Sequence, residues 1–417
     1  MPKIRFYSII FFVGLQVYAQ QLDTKTKNSL FIAPEFLFGK TMEANTGFPE
    51  TKLQKSLFVS LGVNNQRIDE QWSSRFGIPK TGISLGVTDF GNIDKVGIAY
   101  TLLPFLEVGL FSKKTNRLHL NTGFGASYID TKYNMDTNPF NKGITTSFNW
   151  SFKSFIYYDV LVKKSSQWRL GLGYTHHSNG HTLLPNQGLN SFSVSASSLL
   201  GNTSYLSPEN QSVVQNTRVK SSQTYFSFRS GIGQNVLSEV YNDKKEVYSF
   251  AMSMGKVINK IFKLGVGFYG RFYEQYYDYI KNEGDLVKEQ VPFFIEKPIV
   301  YASNYGFFVS SEVFMGHVGI EFDMGLNVYK PFYKIDWQLS QGELLYTGEY
   351  VLGELDWYYE VKRTISSRLG VKCYLLNTYK SPKNNFFVGA SINANLGQAD
   401  FSELNFGYVY RFSKKSK

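Results

Sequence analysis

Three of the five histidines fall within six positions, at His176, His177 and His181, and Ser178 lies among them. A histidine of ordinary pKa, near ~6.5, can take the proton of a neighbouring hydroxyl and make it a nucleophile. His176 and Ser178 are two residues apart. On an extended strand such a pair shares one face and lies within side-chain reach. A third group that orients the imidazole completes the logic of a triad, and an asparagine amide oxygen can serve. Asn190 is the candidate for that role. Asn179, Asn186 and the backbone amides around Gly180 and Gly188 are candidate donors to an oxyanion. The chemistry these types allow is ester hydrolysis through an acyl-enzyme, and it needs neither metal nor cofactor. Two plainer readings stand beside it. The histidines could hold a divalent metal, although no carboxylate or cysteine lies nearby. They could also be polar decoration at a membrane interface.

The elements that carry these residues alternate with period two, which marks β-strands. Trp168, Leu170, Leu172 and Tyr174 form an apolar face that His176 and Ser178 continue. Arg169, Gly171, Gly173, Thr175, His177 and Asn179 form the other face. Beyond the loop, Asn190, Phe192, Val194 and Ala196 alternate with Ser191, Ser193, Ser195 and Ser197. His176, Ser178 and Asn190 therefore share the apolar side near the tip of one hairpin. A polar group facing lipid loses its water partners, so the placement is costly unless it serves a purpose.

The rest of the chain repeats this rhythm. Strands are expected near 30–39, 55–63, 81–90, 95–112, 116–131, 146–162, 167–179, 189–200, 222–235, 246–258, 261–276, 304–314, 317–329, 367–378, 384–396 and 403–412. The stretch 340–362 fits helix or strand. Aromatics make up 17% of the 417 residues, which excludes a disordered chain. After the first 20 residues no apolar run reaches the ~20 needed for a membrane helix. Cys373 is the sole cysteine, which excludes a disulfide framework.

Residues 1–19 read as an export signal: Lys3 and Arg5, an apolar run from Phe6 to Val17, and a cleavage site at Val17-Tyr18-Ala19. The formal charge of +11 is diffuse, with blocks such as Lys113-Lys114, Lys163-Lys164 and Lys244-Lys245. That pattern suits anionic headgroups and not nucleic acid. Strands of about ten residues with an apolar face, and an aromatic last strand from Phe406 to Phe412, favour a membrane barrel over a soluble sandwich. The expectation is an all-β, transmembrane, antiparallel up-and-down β-barrel of about 12–16 strands, in one domain over 20–417. Glu321, Asp323, Lys263 and Arg271 fall on the lumenal face, where a charge network would plug the barrel. If they line water instead, the chain is a porin or transport barrel without catalytic activity. The strand at 167–179 is the seventh, so its tip meets the outer leaflet if both termini are periplasmic.

His176-x-Ser178-Asn179, followed eight residues after the serine by Asn186-x-Gly188, resembles the outer-membrane lipid A 3-O-deacylase (PagL) family, also known as acyloxyacyl hydrolases. The resemblance covers about residues 168–200. The segment from Gly397 to Phe412 also resembles longer, Bacteroidetes-type members. The resemblance implies a barrel whose triad faces the outer leaflet and removes an ester-linked acyl chain from the lipid A of lipopolysaccharide. It makes Ser178 the nucleophile, His176 the base and Asn186 a contributor to the oxyanion site. The family's acid is a glutamate twelve residues after the serine; here that position holds Asn190. Asp159, on the preceding strand, is a second candidate for the acid. Acyl position, chain length and oligomeric state stay open at this stage.

Overall fold

The computed structural model describes residues 29–65, 71–76, 79–110, 117–163, 165–201, 220–344 and 350–412. The export segment 1–19, the Lys113-Lys114 block and Lys164 lie outside these residues.

Each of the sixteen expected strands is present. The first eight are β1 (Ser29–Thr41), β2 (Gln54–Asn64), β3 (Lys80–Asp89), β4 (Ile98–Gly109), β5 (Leu118–Ile129), β6 (Phe148–Val162), β7 (Ser166–Ser178) and β8 (Leu189–Gly201). Next come β9 (Ser222–Asn235), β10 (Lys245–Ile258), β11 (Phe262–Tyr273), β12 (Ser303–Met315) and β13 (Val318–Tyr329). A two-residue pair, β14 (Glu343–Leu344) and β15 (Tyr350–Val351), precedes β16 (Ile365–Tyr374), β17 (Asn384–Asn395) and β18 (Gln398–Arg411). The ambiguous stretch 340–362 holds both kinds of element. The β14–β15 hairpin sits between helices Tyr333–Ser340 and Trp357–Thr364, the second capped by Asp356, whose side chain accepts from Tyr359 N.

The expected single wall of 12–16 strands is corrected by the topology. The strands form two closed barrels of eight, β1–β8 and β9–β13 with β16–β18. β8 turns back onto β1, from Phe31 opposite Gly201 to Thr41 opposite Ser191. β18 likewise closes on β9, from Arg411 opposite Tyr225 to Ser402 opposite Gln234. Closure is required because lipid offers nothing to an unpaired strand edge. It occurs at eight strands because a ring of that size is just wide enough for side chains to fill.

The lumenal side chains are large and mutually paired. In the first barrel Glu35 accepts from Lys153 Nζ and from the Tyr157 hydroxyl, both at 2.5 Å. Glu107 accepts from Arg169 at 2.9 Å and from Lys80 at 2.6 Å. In the second, Glu321 accepts from Arg229 at 2.9 Å and also from Arg368 and Lys372. Lys263 Nζ donates to Glu312 Oε2 at 2.8 Å. Buried charges persist when they are paired in this way. The outward faces are the reverse: Leu170, Leu172, Phe192 and Val194 on the first barrel, and Val266, Phe307, Leu404 and Phe406 on the second, are exposed. An exposed apolar band around a charged, filled interior is the pattern of a barrel solvated by lipid.

In the first barrel the connections 42–53, 90–97, 130–147 and 179–188 follow odd strands and gather at one end. Phe48, Phe90, Val96, Ile129, Ile144 and Leu189 pack there into a buried cluster. That cluster anchors the base of the 179–188 turn, which joins β7 to β8.

Candidate active site

β7 and β8 place the chemistry by register. His176 lies opposite Asn190, and Trp150 on β6 lies opposite Ser178. Tyr174, His176 and Ser178 share the parity of the exposed Leu170 and Leu172. They are therefore on the outer side of the wall, not in the bore. Ser178 is nevertheless only 7% exposed.

The imidazole of His176 bridges two partners. Its Nε2 is 3.0 Å from Ser178 Oγ, and its Nδ1 is 2.7 Å from Asn190 Oδ1. Asn190 Oδ1 also accepts the Tyr174 hydroxyl at 2.5 Å. Tyr174 was not among the sequence candidates. Its signal was its place on the same face, two residues before His176. Two donors converging on one amide oxygen fix which way Asn190 is turned. The tautomer that fits carries its proton on Nδ1 and leaves the Nε2 lone pair aimed at Ser178.

The turn is set by two glycines and an asparagine. Gly180 and Gly188 hold φ of 66° and 76°, a region that favours glycine. A Cβ at Gly188 would lie 2.7 Å from His176 Cε1, so the turn closes directly onto the imidazole. Asn179 Nδ2 donates to Leu183 O at 2.7 Å, and Asn179 Oδ1 accepts from Thr182 N at 3.1 Å. Asn179 N donates to Asn186 Oδ1 at 3.1 Å.

These bonds sort the expected oxyanion donors. Gly188 N is spent on Gly143 O at 2.9 Å, and Asn179 spends both its amide groups within the turn. These two are removed from the candidates, because a donor already bonded inside the fold is not available to an oxyanion. Gly180 N and Asn186 Nδ2 keep no partner among the described residues, and Asn186 is turned by its own oxygen toward Asn179.

The remaining titratable candidates lie elsewhere. His177 points into the bore, where Nδ1 meets Ser127 at 3.0 Å and Ser151 at 2.7 Å. His181 is in the turn, and burial holds its imidazole below the ordinary value. The three histidines thus face three directions. Asp159 is excluded as the acid: it lies in the lumen, bonded to His119 at 2.8 Å and Gln167 at 2.6 Å. It is seven residues along β6 from Phe152, the partner of His176, or roughly 23 Å.

Along the wall from the site, on the outer face, runs a groove of about 560 Å³. Leu172, Phe192, Val194, Phe38 and Leu53 line it, with Lys40 and Lys52 at its rim.

The sequence model of the family described as lipid A 3-O-deacylase (PagL) matches residues 15–198. Among solved structures, the outer-membrane enzyme PagL is similar at 15% identity and a TM-score of 0.30, over 40% of this chain and 97% of its own. A mutant Rh. blastica porin matches 93% of this chain and 100% of its own, at 9% identity and a TM-score of 0.18. An outer-membrane channel from Pseudomonas putida F1 matches 93% of this chain and 97% of its own, at 9% identity and a TM-score of 0.17. No curated protein matches the chain. His176, Ser178, Asn186 and Asn190 all fall within the stretch 15–198 that is similar to the lipid A 3-O-deacylase (PagL) family.

Proposed function

We propose that the chain is an outer-membrane esterase that removes an ester-linked fatty acyl chain from the lipid A of lipopolysaccharide. The observation that carries this reading is the imidazole of His176, held between Ser178 Oγ and Asn190 Oδ1 at 3.0 and 2.7 Å on the lipid-facing side of the wall.

Ser178 Oγ attacks the ester carbonyl as its proton passes to His176 Nε2. The tetrahedral oxyanion is stabilised by Gly180 N–H and Asn186 Nδ2, and the imidazolium by Asn190 Oδ1. The alkoxide of the sugar leaves with the proton from His176, and the acyl group stays on Ser178. Water then gives a proton to His176 and attacks the acyl-enzyme. The fatty acid departs and Ser178 recovers its hydrogen. A neutral amide replaces the usual acid, so charge stabilisation of the imidazolium is weaker here than with a carboxylate.

The acyl chain lies in the groove of Leu172 and Phe192, whose volume is in the range of small-molecule sites. In this reading the site faces the outer leaflet: β7 is the seventh strand, so with periplasmic termini its tip points outward, although the connections 65–79 and 202–221 then lie on the periplasmic side, where turns are normally short. The alternative of an open pore is disfavoured, because the inward charges of both barrels are buried and paired.

The test is the mass of lipid A after incubation with the purified chain. A loss equal to one fatty acid is expected, with none from Ser178→Ala or His176→Ala at unchanged heat-modifiable gel mobility. Release by both variants at the wild-type rate would overturn the reading.

A further inference from the structure

Three carbonyls of the 179–188 turn are satisfied from outside the first barrel. Gly180 O accepts from Ser402 Oγ at 3.3 Å, and His181 O from Val236 N at 3.2 Å. Leu184 O accepts from Asn242 Nδ2 at 2.7 Å. The donors all belong to the second barrel: Ser402 on β18, Val236 and Asn242 on the connection after β9. None lies in the segment 15–198 that carries the family match.

Two of these contacts have a defined direction. Trp150 Nε1 donates to Ser402 Oγ at 2.8 Å, and an indole can only donate. The hydroxyl of Ser402 is therefore free to give its own proton to Gly180 O. Trp150 is also the cross-strand partner of Ser178, so this relay runs beside the nucleophile. Asn242 meets Leu184 reciprocally, since its Oδ1 also accepts Leu184 N at 2.9 Å. Between these anchors His181 holds a φ of 71°, a conformation that a non-glycine residue keeps only with outside support. Within the turn, Asn179 is bonded to Leu183 O, to the amide and hydroxyl of Thr182, and to Asn186 Oδ1.

We propose that Asn242 and Ser402 are positioning residues for the esterase site. The second barrel braces the turn so that Gly180 N–H and Asn186 Nδ2 converge on the ester carbonyl. This inference rests on the esterase reading above. Neither residue touches Ser178 or His176; both act through the backbone of the turn. The second barrel is thus a built-in support for the first.

The experiment uses the full chain in detergent with lipopolysaccharide as substrate. Asn242→Ala and Ser402→Ala are expected to lower kcat by about ten- to a hundred-fold with KM unchanged, the scale of a slight misplacement of catalytic groups. Ser402→Thr, which keeps the hydroxyl, restores the rate. In Asn242→Ala the Leu184 amide exchanges hydrogen faster, because its acceptor is gone. If Asn242→Ala does not fold, Asn242→Asp carries the same expectation for kcat, since it keeps the shape and the acceptor for Leu184 N but loses the donor to Leu184 O. An active wild type whose two alanine variants keep full kcat, or an unchanged Leu184 exchange rate, overturns the brace alone. A wild type that releases no fatty acid, with Leu184 exchange accelerated as expected, overturns the esterase reading and with it the catalytic role of the brace.

Discussion

Asn190 Oδ1 lies 2.5 Å from the Tyr174 hydroxyl while it also receives His176 Nδ1. With Asn190 Oδ1 as the common acceptor, the Tyr174 hydroxyl and His176 Nδ1 both donate to it, and Nε2 is left to accept from Ser178. Loss of the tyrosine hydroxyl is expected to lower kcat several-fold in Tyr174→Phe. Asn190→Leu, which removes the acceptor, lowers it by about two orders of magnitude or more, judged by the loss seen when a triad orienter fails. Asn190→Glu keeps or raises the rate. Initial rates of fatty-acid release from lipopolysaccharide measure all three, and a large loss in Asn190→Glu would show that the amide works as a donor instead.

Gly188→Ala tests the closure of the turn onto the imidazole. The new Cβ would stand 2.7 Å from His176 Cε1, at a φ of 76°. Either His176 moves or the turn does. We expect loss of most activity with heat-modifiable mobility retained, together with slower labelling of Ser178 by a fluorophosphonate probe. Full labelling at the wild-type rate would contradict the geometry.

His181 makes the turn sensitive to acid. Burial lowers its folded pKa, while Asp400 and the Val236 backbone act in the opposite direction and do not cancel it. The folded turn therefore binds fewer protons than the open one. Its stability is complete above the unfolded pKa of ~6.5 and falls as pH drops from there toward the lowered folded value. Protection factors of residues 180–184, taken against the intrinsic exchange rate at each pH, are expected to fall from pH 7.5 to pH 5, and His181→Asn, which also tolerates positive φ, should flatten that dependence.

The filled bores predict two further results. Planar bilayers containing the chain should show no stable ion conductance. Glu321→Ala removes the carboxylate shared by Arg229, Arg368 and Lys372, leaving Arg229 with Asp323, Lys372 with Glu312, and Arg368 with only longer contacts to Asp323 and Glu403. Breaking a buried pair from one side costs at most about 3–5 kcal/mol, and the remaining carboxylates reduce it; the loss is read as a lower midpoint for loss of the folded gel band. A midpoint equal to wild type would mean that water already screens these groups.

Much of the wall was legible because its cause is local. Leu404, Phe406 and Tyr408 alternate with Asn405, Gly407 and Val409, and strand period needs only neighbours along the chain. The division into two barrels was not legible, because it depends on Gly201 meeting Phe31 and Arg411 meeting Tyr225. No periodicity records which distant edge a strand will find. The same distinction holds at the site. Parity alone put His176, Ser178 and Asn190 on one face. It missed Tyr174, whose hydroxyl reaches diagonally to the neighbouring strand. It kept Gly188 N as a donor because its bond to Gly143 O crosses between loops. Asn242 and Ser402 carried no signal at all, being 58 and 222 residues from the backbone atoms they hold.

The seams also set an order of assembly. The edge of β1 can be zipped to β8 once residue 201 is available, whereas β9 must wait for the chain's last strand. The first cylinder can therefore close while its 179–188 turn still lacks Ser402, Val236 and Asn242, the three outside donors to its carbonyls.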